Sequence, residues 1–177
     1  MLVIERGLLT RCNEDGLNHQ YAYREHYSHD VVLFLIFDPE RGFLFERRIR
    51  QGDSLFGKTI IPAGKIRDIG ERKFPLWAAE RECFEEIGVV TQEITPLNPL
   101  FDDQQRNMLY PFLMTGRLWG DLGNLEPDKK TLVWISQSEI YCERRGRVEV
   151  NPMFEVETTR QVLLNARAKM EEFGINQ

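Results

Sequence analysis

The chain has 177 residues, 42% hydrophobic and 29% charged, with a net charge of −5 and three cysteines, Cys12, Cys83 and Cys142. Such a composition suits one globular domain, and its acidic balance argues against a nucleic-acid or anionic-membrane surface, both of which use a basic excess. The cysteines make no C-x-x-C pair, "MLVIERGLLTRC" meets charge too early for a signal peptide, and no apolar run nears the roughly 20 residues that cross a bilayer, so neither a disulfide framework nor a membrane anchor is expected and the location is taken as cytoplasmic.

Strand-like pieces flank "NEDG" near the N-terminus, where Asp15-Gly16 is a hairpin turn pair. Val31 to Asp38, "VVLFLIFD", is β-branched and aromatic and predicts a buried strand. Pro39 to Gly42 predicts a turn into a second strand, "FLFERRIR". "KTIIPAGKI" predicts a short strand broken at Pro62. A helix is expected from about Pro75, where a missing N–H costs little, to Ile87, with Gly88 as a left-handed cap. Leu76, Ala79, Cys83 and Ile87 recur at helical spacing and should face the core. A loop from Asn98 then leads into a strand through Leu113. "KTLVWISQSEI" reads as a further strand, and "NPMFEVETTRQVLLNARAKMEEF" as a closing amphipathic helix. Strands first, a helix between them and a helix last make an α+β, mixed-sheet pattern.

The helix "WAAERECFEEIGV" carries Glu82, Glu85 and Glu86 at i, i+3 and i+4, so the three share one face. Like charges at this spacing repel, and they stand near a helix C-terminus, where the macrodipole disfavours anions. A solvated glutamate face is the ordinary explanation. A hard divalent cation resolves both conflicts, because Mg²⁺ takes carboxylate oxygens and keeps several waters.

The surroundings favour the cation. "IIPAGKIRDIGER" places Gly64, Gly70 and Glu71 upstream, and Arg81-Glu82-Cys83-Phe84-Glu85-Glu86-Ile87-Gly88-Val89 follows. This arrangement resembles the Nudix hydrolase signature, a glycine and a glutamate followed by R-E-U-x-E-E-x-G-U with U aliphatic. Cys83 stands in an aliphatic slot, and the loop "RDIGERKF" is about three residues longer than the family's, an insertion a loop tolerates. "RRIRQG" and "IIPAGKI" resemble the strands before the box in the ADP-ribose pyrophosphatase branch, with Arg48 in place of a glutamine. "LVWISQSEI" resembles its late strand, and "FDDQQRN" departs from its usual loop.

The resemblance implies a Nudix-type α/β/α sandwich at residues 29–177. It also implies an N-terminal antiparallel strand region at 1–28 that packs in a homodimer. It implies a pyrophosphohydrolase that takes Mg²⁺ or Mn²⁺ on Glu82, Glu85, Glu86 and the carbonyl of Ala63. Arg81 and Glu71 brace the loop, and Arg50 and Arg48 are candidates for the phosphates. The general base is open between Glu85, Glu126 and Glu139. The implied partner is a small nucleotide, ADP-ribose or a similar nucleoside diphosphate sugar, with no nucleic acid or membrane. A nucleoside triphosphate or dinucleoside polyphosphate hydrolase is the rival enzyme, and a non-catalytic Nudix-fold ligand-binding module the rival of another class. His26 and His29 read as loop histidines, Trp77 and Tyr110 as core or dimer packing, and Arg144, Arg145 and Arg147 as a solvated turn.

Overall fold

The computed structural model describes residues 30–102 and 107–175. The N-terminal strand region expected at 1–28, with His26, and also His29 lie outside the described residues. The apolar run forms strand β1 (Val31–Asp38) and returns through a turn into β2 (Gly42–Arg48). Asp38 drives that turn, its carboxylate accepting the backbone N–H groups of Glu40 and Arg41 at 2.9 and 3.0 Å. Pro62 breaks the next run as foreseen, separating β3 (Thr59–Ile60) from β4 (Ala63–Lys65). A short helix α1 (Ile69–Lys73) precedes the foreseen helix α2 (Pro75–Ile87), which Gly88 ends at φ 81°.

Strands β5 (Val89–Pro96), β6 (Leu100–Asp102), β7 (Asn107–Gly120) and β8 (Lys130–Ile135) follow, then helix α3 (Gln137–Ile140), the hairpin β9 (Tyr141–Arg144) and β10 (Arg147–Val150), and helix α4 (Glu157–Glu172). Eight strands join in one mixed sheet whose central path is β3-β2-β1-β7-β5. β1 and β7 run parallel, with Val31 opposite Leu109 and Ile36 opposite Met114, and the other pairings are antiparallel.

Alternation along the strands divides the core in two. Val32, Phe34 and Ile36 of β1 pack with Leu44, Phe112 and Met114 under Ala78, Ala79, Cys83 and Ile87 of α2. Leu35, Phe43, Phe45 and Leu113 face the other way, onto Phe154 and Val162, Leu163, Ala166 and Met170 of α4. The result is the expected sandwich of a mixed sheet between helices. The predicted inner face of α2 is buried as read: Leu76 is 7% exposed, Cys83 1%, and Ala79 and Ile87 0%.

Two boundaries differ. β7 runs on to Gly120 because β5 pairs along it, Val89 opposite Gly120 and Ile94 opposite Met114. α4 begins at Glu157 rather than Asn151, since the Phe154 N–H bonds back to the Asn151 carbonyl at 3.1 Å in a turn that buries the Phe154 ring. Arg144, Arg145 and Arg147 lie exposed at the tip of the β9–β10 hairpin, a solvated turn as expected. Among the described residues no helix is long and apolar enough to cross a membrane.

Gly42 couples the first turn to the far end of β8. Its φ is +92°, and a Cβ there stands 2.2 Å from the carbonyl oxygen of Ile135. Gly52, at φ +86°, has open space around the same atom. Gly42→Ala therefore carries both strain and a backbone clash, and should cost about 2–4 kcal/mol. Gly52→Ala should cost about 1 kcal/mol. Thermal melts of the two variants check this, and equal Tm losses count against the close packing of this turn.

Candidate functional site

The site is assembled where β4 runs into α1 and α2. Asp68 caps α1, accepting the Glu71 N–H at 2.9 Å, and so presents the Glu71 side chain inward, 8% exposed. Nearly two turns into α2, Arg81 meets it. The Arg81 Nε donates to Glu71 Oε1 at 2.6 Å and Nη2 to Oε2 at 3.0 Å, a bidentate pair. Nη2 also donates to the Lys65 carbonyl at 3.0 Å, and Nη1 to Glu82 at 2.6 Å and Glu85 at 3.0 Å. Glu71 accepts the Arg67 N–H as well, at 2.8 Å. One guanidinium thus ties β4, the loop and both helices. The hydrogen bonds from Arg81 hold the Glu71 carboxyl below its ordinary range, and Glu71 in turn holds Arg81 firmly protonated.

Gly64 explains why the loop lies so near. A Cβ at this position comes 2.0 Å from the Glu82 Cγ, so the Glu82 side chain lies across the face the glycine leaves bare. Glu82 is 6% exposed. Glu85 points outward to the Arg67 guanidinium, at 3.2 and 2.7 Å, and those bonds draw its carboxyl below the usual range.

Glu86 has a different partner. Its Oε2 accepts from the ammonium of Lys130, the first residue of β8, which also lies 3.0 Å from Glu46 Oε2 and 3.5 Å from Glu126 Oε2. Lys130 is fully buried and Glu46 is 2% exposed. Burial pushes the Glu86 carboxyl up to about 7, with Lys130 opposing the shift. Burial also works against the Lys130 charge, but Glu46 and Glu86 outweigh it and hold its pKa above the ordinary lysine value.

The three box glutamates therefore share a helix face but divide between two sets of cations. Glu82 and Glu85 turn to Arg81 and Arg67, and Glu86 turns to Lys130. As they stand, no group of three or more His, Cys, Asp or Glu among the described residues is arranged to hold a metal ion. The donor chemistry still fits a hard divalent cation: each carboxylate is an oxygen donor already engaged with a positive charge.

The other candidates separate clearly. Glu126 is brought to the cluster through Lys130, whereas Glu139 is spent on capping α3 through the Ser136 N–H and hydroxyl. Arg48 is engaged by Asp53, at 2.9 and 2.7 Å, and by Glu46 at 2.9 Å, while Arg50 is exposed. Tyr110 is buried under α2, but Trp77 is 46% exposed and stacks on Phe74. Ala63 lines a cleft of about 640 Å³ together with Leu33, Ile60, Phe101, Asn107 and Leu109. Asn107 is 4% exposed, and its Oδ1 has no hydrogen-bond partner among the described residues.

Sequence reasoning missed Lys130, Glu46, Arg67 and Asn107. A signal existed for the first two. Leu44-x-Glu46 and Lys130-x-Leu132-x-Trp134 each set a charge on the parity of inward apolar residues.

Arg81→Lys keeps the charge but loses the fork, so it should lower stability by about 1–3 kcal/mol and reduce any metal-dependent turnover; an unchanged melt and rate would make Arg81 an ordinary surface residue. Glu71 has its pKa lowered from 4.5 on folding. Its contribution is present above that value and lost as pH falls through the lowered one. Glu71→Gln should be less stable at neutral pH and lose less between neutral and acid pH. Parallel pH–stability curves for variant and wild type would contradict the pairing.

Comparison with known proteins bears on the family and the fold. The NUDIX domain family matches residues 27–154. Among curated proteins no relative matches by sequence. Among solved structures, an ADP compounds hydrolase is similar with TM-score 0.62 at 17% identity, over 83% of this chain and 75% of the other. A MutT Nudix hydrolase from Burkholderia pseudomallei gives TM-score 0.57 at 19% identity, over 77% of this chain and 96% of the other. A Nudix hydrolase from Nitrosomonas europaea gives 0.54 at 20%, over 80% and 89%. The structural likenesses speak for the fold, the family match spans most of the chain, and the chain belongs to the Nudix hydrolase family.

Proposed function

We propose that the protein is a Mg²⁺-dependent pyrophosphohydrolase whose preferred substrate is ADP-ribose or a similar nucleoside diphosphate sugar. The observation that carries this reading is the Arg81-centred carboxylate set, in which one guanidinium gathers Glu71, Glu82 and Glu85 at the junction of β4 with the two helices. Glu82, Glu85 and Glu86, with the Ala63 carbonyl, are the proposed ligands. Mg²⁺ bound there offsets phosphate charge and acidifies a water.

The chain's own residues do the remaining work. Arg81 and Glu71 hold the loop so that the carboxylates keep their places. Glu85 is exposed, which suits a base that must reach water from solvent, and Glu126 is the second candidate. Arg50 is exposed and is the proposed phosphate contact, whereas Arg48 must first give up Asp53 and Glu46. In the cleft, the apolar walls of Leu33, Ile60, Phe101 and Leu109 suit a flat base. The related structure described as an ADP compounds hydrolase is in keeping with a diphosphate substrate. A homodimer made through residues 1–28 is part of the same proposal.

Glu82→Gln keeps shape and removes an anionic donor. Turnover should fall on the order of tenfold to a hundredfold, with a higher Mg²⁺ requirement and an unchanged fold by circular dichroism; full activity at limiting Mg²⁺ would remove Glu82 from the ligand set. Substrate choice is read as kcat/KM for ADP-ribose, dGTP and a dinucleoside polyphosphate. ADP-ribose should lead and yield a nucleoside monophosphate and a sugar phosphate. A tenfold lead for either competitor would overturn the substrate while leaving the family intact.

A further inference from the structure

Two guanidinium groups reach the carboxylates of Glu82 and Glu85, and they are held very differently. The Arg81 side chain is 22% exposed, and its donors are shared among Glu71, Glu82, Glu85 and the Lys65 carbonyl. The Arg67 side chain is 57% exposed. It donates from Nη1 to Glu85 Oε1 at 3.2 Å and from Nη2 to Glu85 Oε2 at 2.7 Å, and Nη2 stands 3.7 Å from Glu82 Oε1. Arg81 therefore ties segments of the protein together. Among the described residues, the Arg67 side chain pairs only with two carboxylates, both of them proposed metal ligands.

The backbone beneath Arg67 is fixed on both sides. Ile66 is buried in the core under α2, and its N–H donates to the Asp30 carbonyl at 3.0 Å. The Arg67 N–H donates to Glu71 at 2.8 Å, and Asp68 caps α1. A long side chain on such a base can leave its carboxylate by turning about its own bonds while the loop stays in place. The ion pair it gives up is exposed, of the kind that contributes little. A divalent ion on Glu85 takes the oxygens that Arg67 covers, and its charge at that range repels the guanidinium. The displaced guanidinium remains tethered beside the site. There the phosphates of a substrate supply the next anionic oxygens, and a planar fork of donors matches them. Arg67 opens the loop "RDIGERKF", the segment longer than the family's, so this cation is a feature of the chain rather than of the box.

We infer that Arg67 is a transferable cation: it covers Glu85 and Glu82, yields them to the divalent ion, and then binds the diphosphate of the substrate. This role rests on the proposed metal dependence and goes beyond it in naming a phosphate-binding residue. Arg67 opposes metal binding and favours the nucleotide. A residue that merely stiffens the loop has no such split, because loosening the loop weakens both.

The test is a pair of calorimetric titrations on the full-length protein, first with Mn²⁺ alone and then with ADP, which carries the diphosphate, on the Mn²⁺-saturated protein. Arg67→Gln should bind Mn²⁺ roughly threefold to tenfold more tightly than the wild type. The same variant should bind ADP on the order of tenfold more weakly. Arg67→Lys, which keeps the charge and loses the fork, should hold Mn²⁺ within about twofold of the wild type and recover only part of the ADP affinity. The Arg67 N–H that anchors Glu71 survives both substitutions, so the fold is retained by circular dichroism. Unless the two affinities of Arg67→Gln move in opposite directions, the role of Arg67 falls while the metal dependence stands. No Mn²⁺ uptake by any of the three proteins overturns the metal dependence and this role with it. Mn²⁺ uptake with no ADP binding by any of them overturns the diphosphate substrate and this role together.

Discussion

The loop of the candidate site and its Glu71, Glu82 and Glu85 carboxylates hang on the Arg81 guanidinium. Its donors reach a carboxylate on α1, two on α2 and a backbone carbonyl on β4. No other side chain type has five donors in a rigid fork. The charge also makes the crowding of acids tolerable: Glu71, Glu82 and Glu85 can approach one another because a positive centre stands between them. α1 is only five residues long and could not hold its place by local propensity. Its anchorage comes from the Glu71 end of this network and from Phe74, which joins it directly to α2.

The electrostatic design has an exposed half and a dry half. On the exposed side, Arg67 and Glu85 meet in water, where an ion pair contributes little and exchanges readily. On the dry side, Glu46, Lys130 and Glu86 meet under the helix, where an unpaired charge is costly. A helix end that carries Glu85 and Glu86 next to its own C-terminus opposes the dipole, and Lys130 relieves that conflict from below. The left-handed Gly88 that closes the helix lets the chain turn at once into β5. There Gly88 and Gly120 meet so closely that a Cβ on Gly120 lies 2.3 Å from the Gly88 carbonyl oxygen.

Much of this was legible from local pattern. The limits of α2, its inner face and its glycine cap follow from Pro75, the apolar spacing and Gly88, because each is a short-range rule. The R-E-x-x-E-E run marked where charge gathers, for the same reason. What escaped was made by pairing at a distance. The length of β7 depends on β5 lying beside it, and α1 depends on Arg81 ten residues on. Lys130 joins Glu86 only because β8 packs against β2 under α2. Even so, the two inward charges at Glu46 and Lys130 interrupt the alternation of their strands visibly. A lysine and a glutamate on core parity in separate strands are reason to look for each other. Asn107 left no such trace, since an asparagine before a strand is equally an ordinary turn residue.

The parallel pairing of β1 with β7 has a kinetic consequence. Val31 to Ile36 must find Leu109 to Met114 across a stretch that contains β2, β3, β4, both site helices, β5 and β6. Closing so long a loop is entropically costly before any contact between the two strands compensates, and parallel pairs of this kind form slowly. The helix with its glutamates can form early, from local bonds alone. Its inner face has no complete surface to lie on until Phe112 and Met114 arrive beside Phe34 and Ile36. During that interval the acids of α2 stand without the buried lysine, which comes from a strand still further along the chain. The Glu86 side of the charged cluster is thus completed only by β8, and nascent chains that stall before it leave Glu86 without its buried cation.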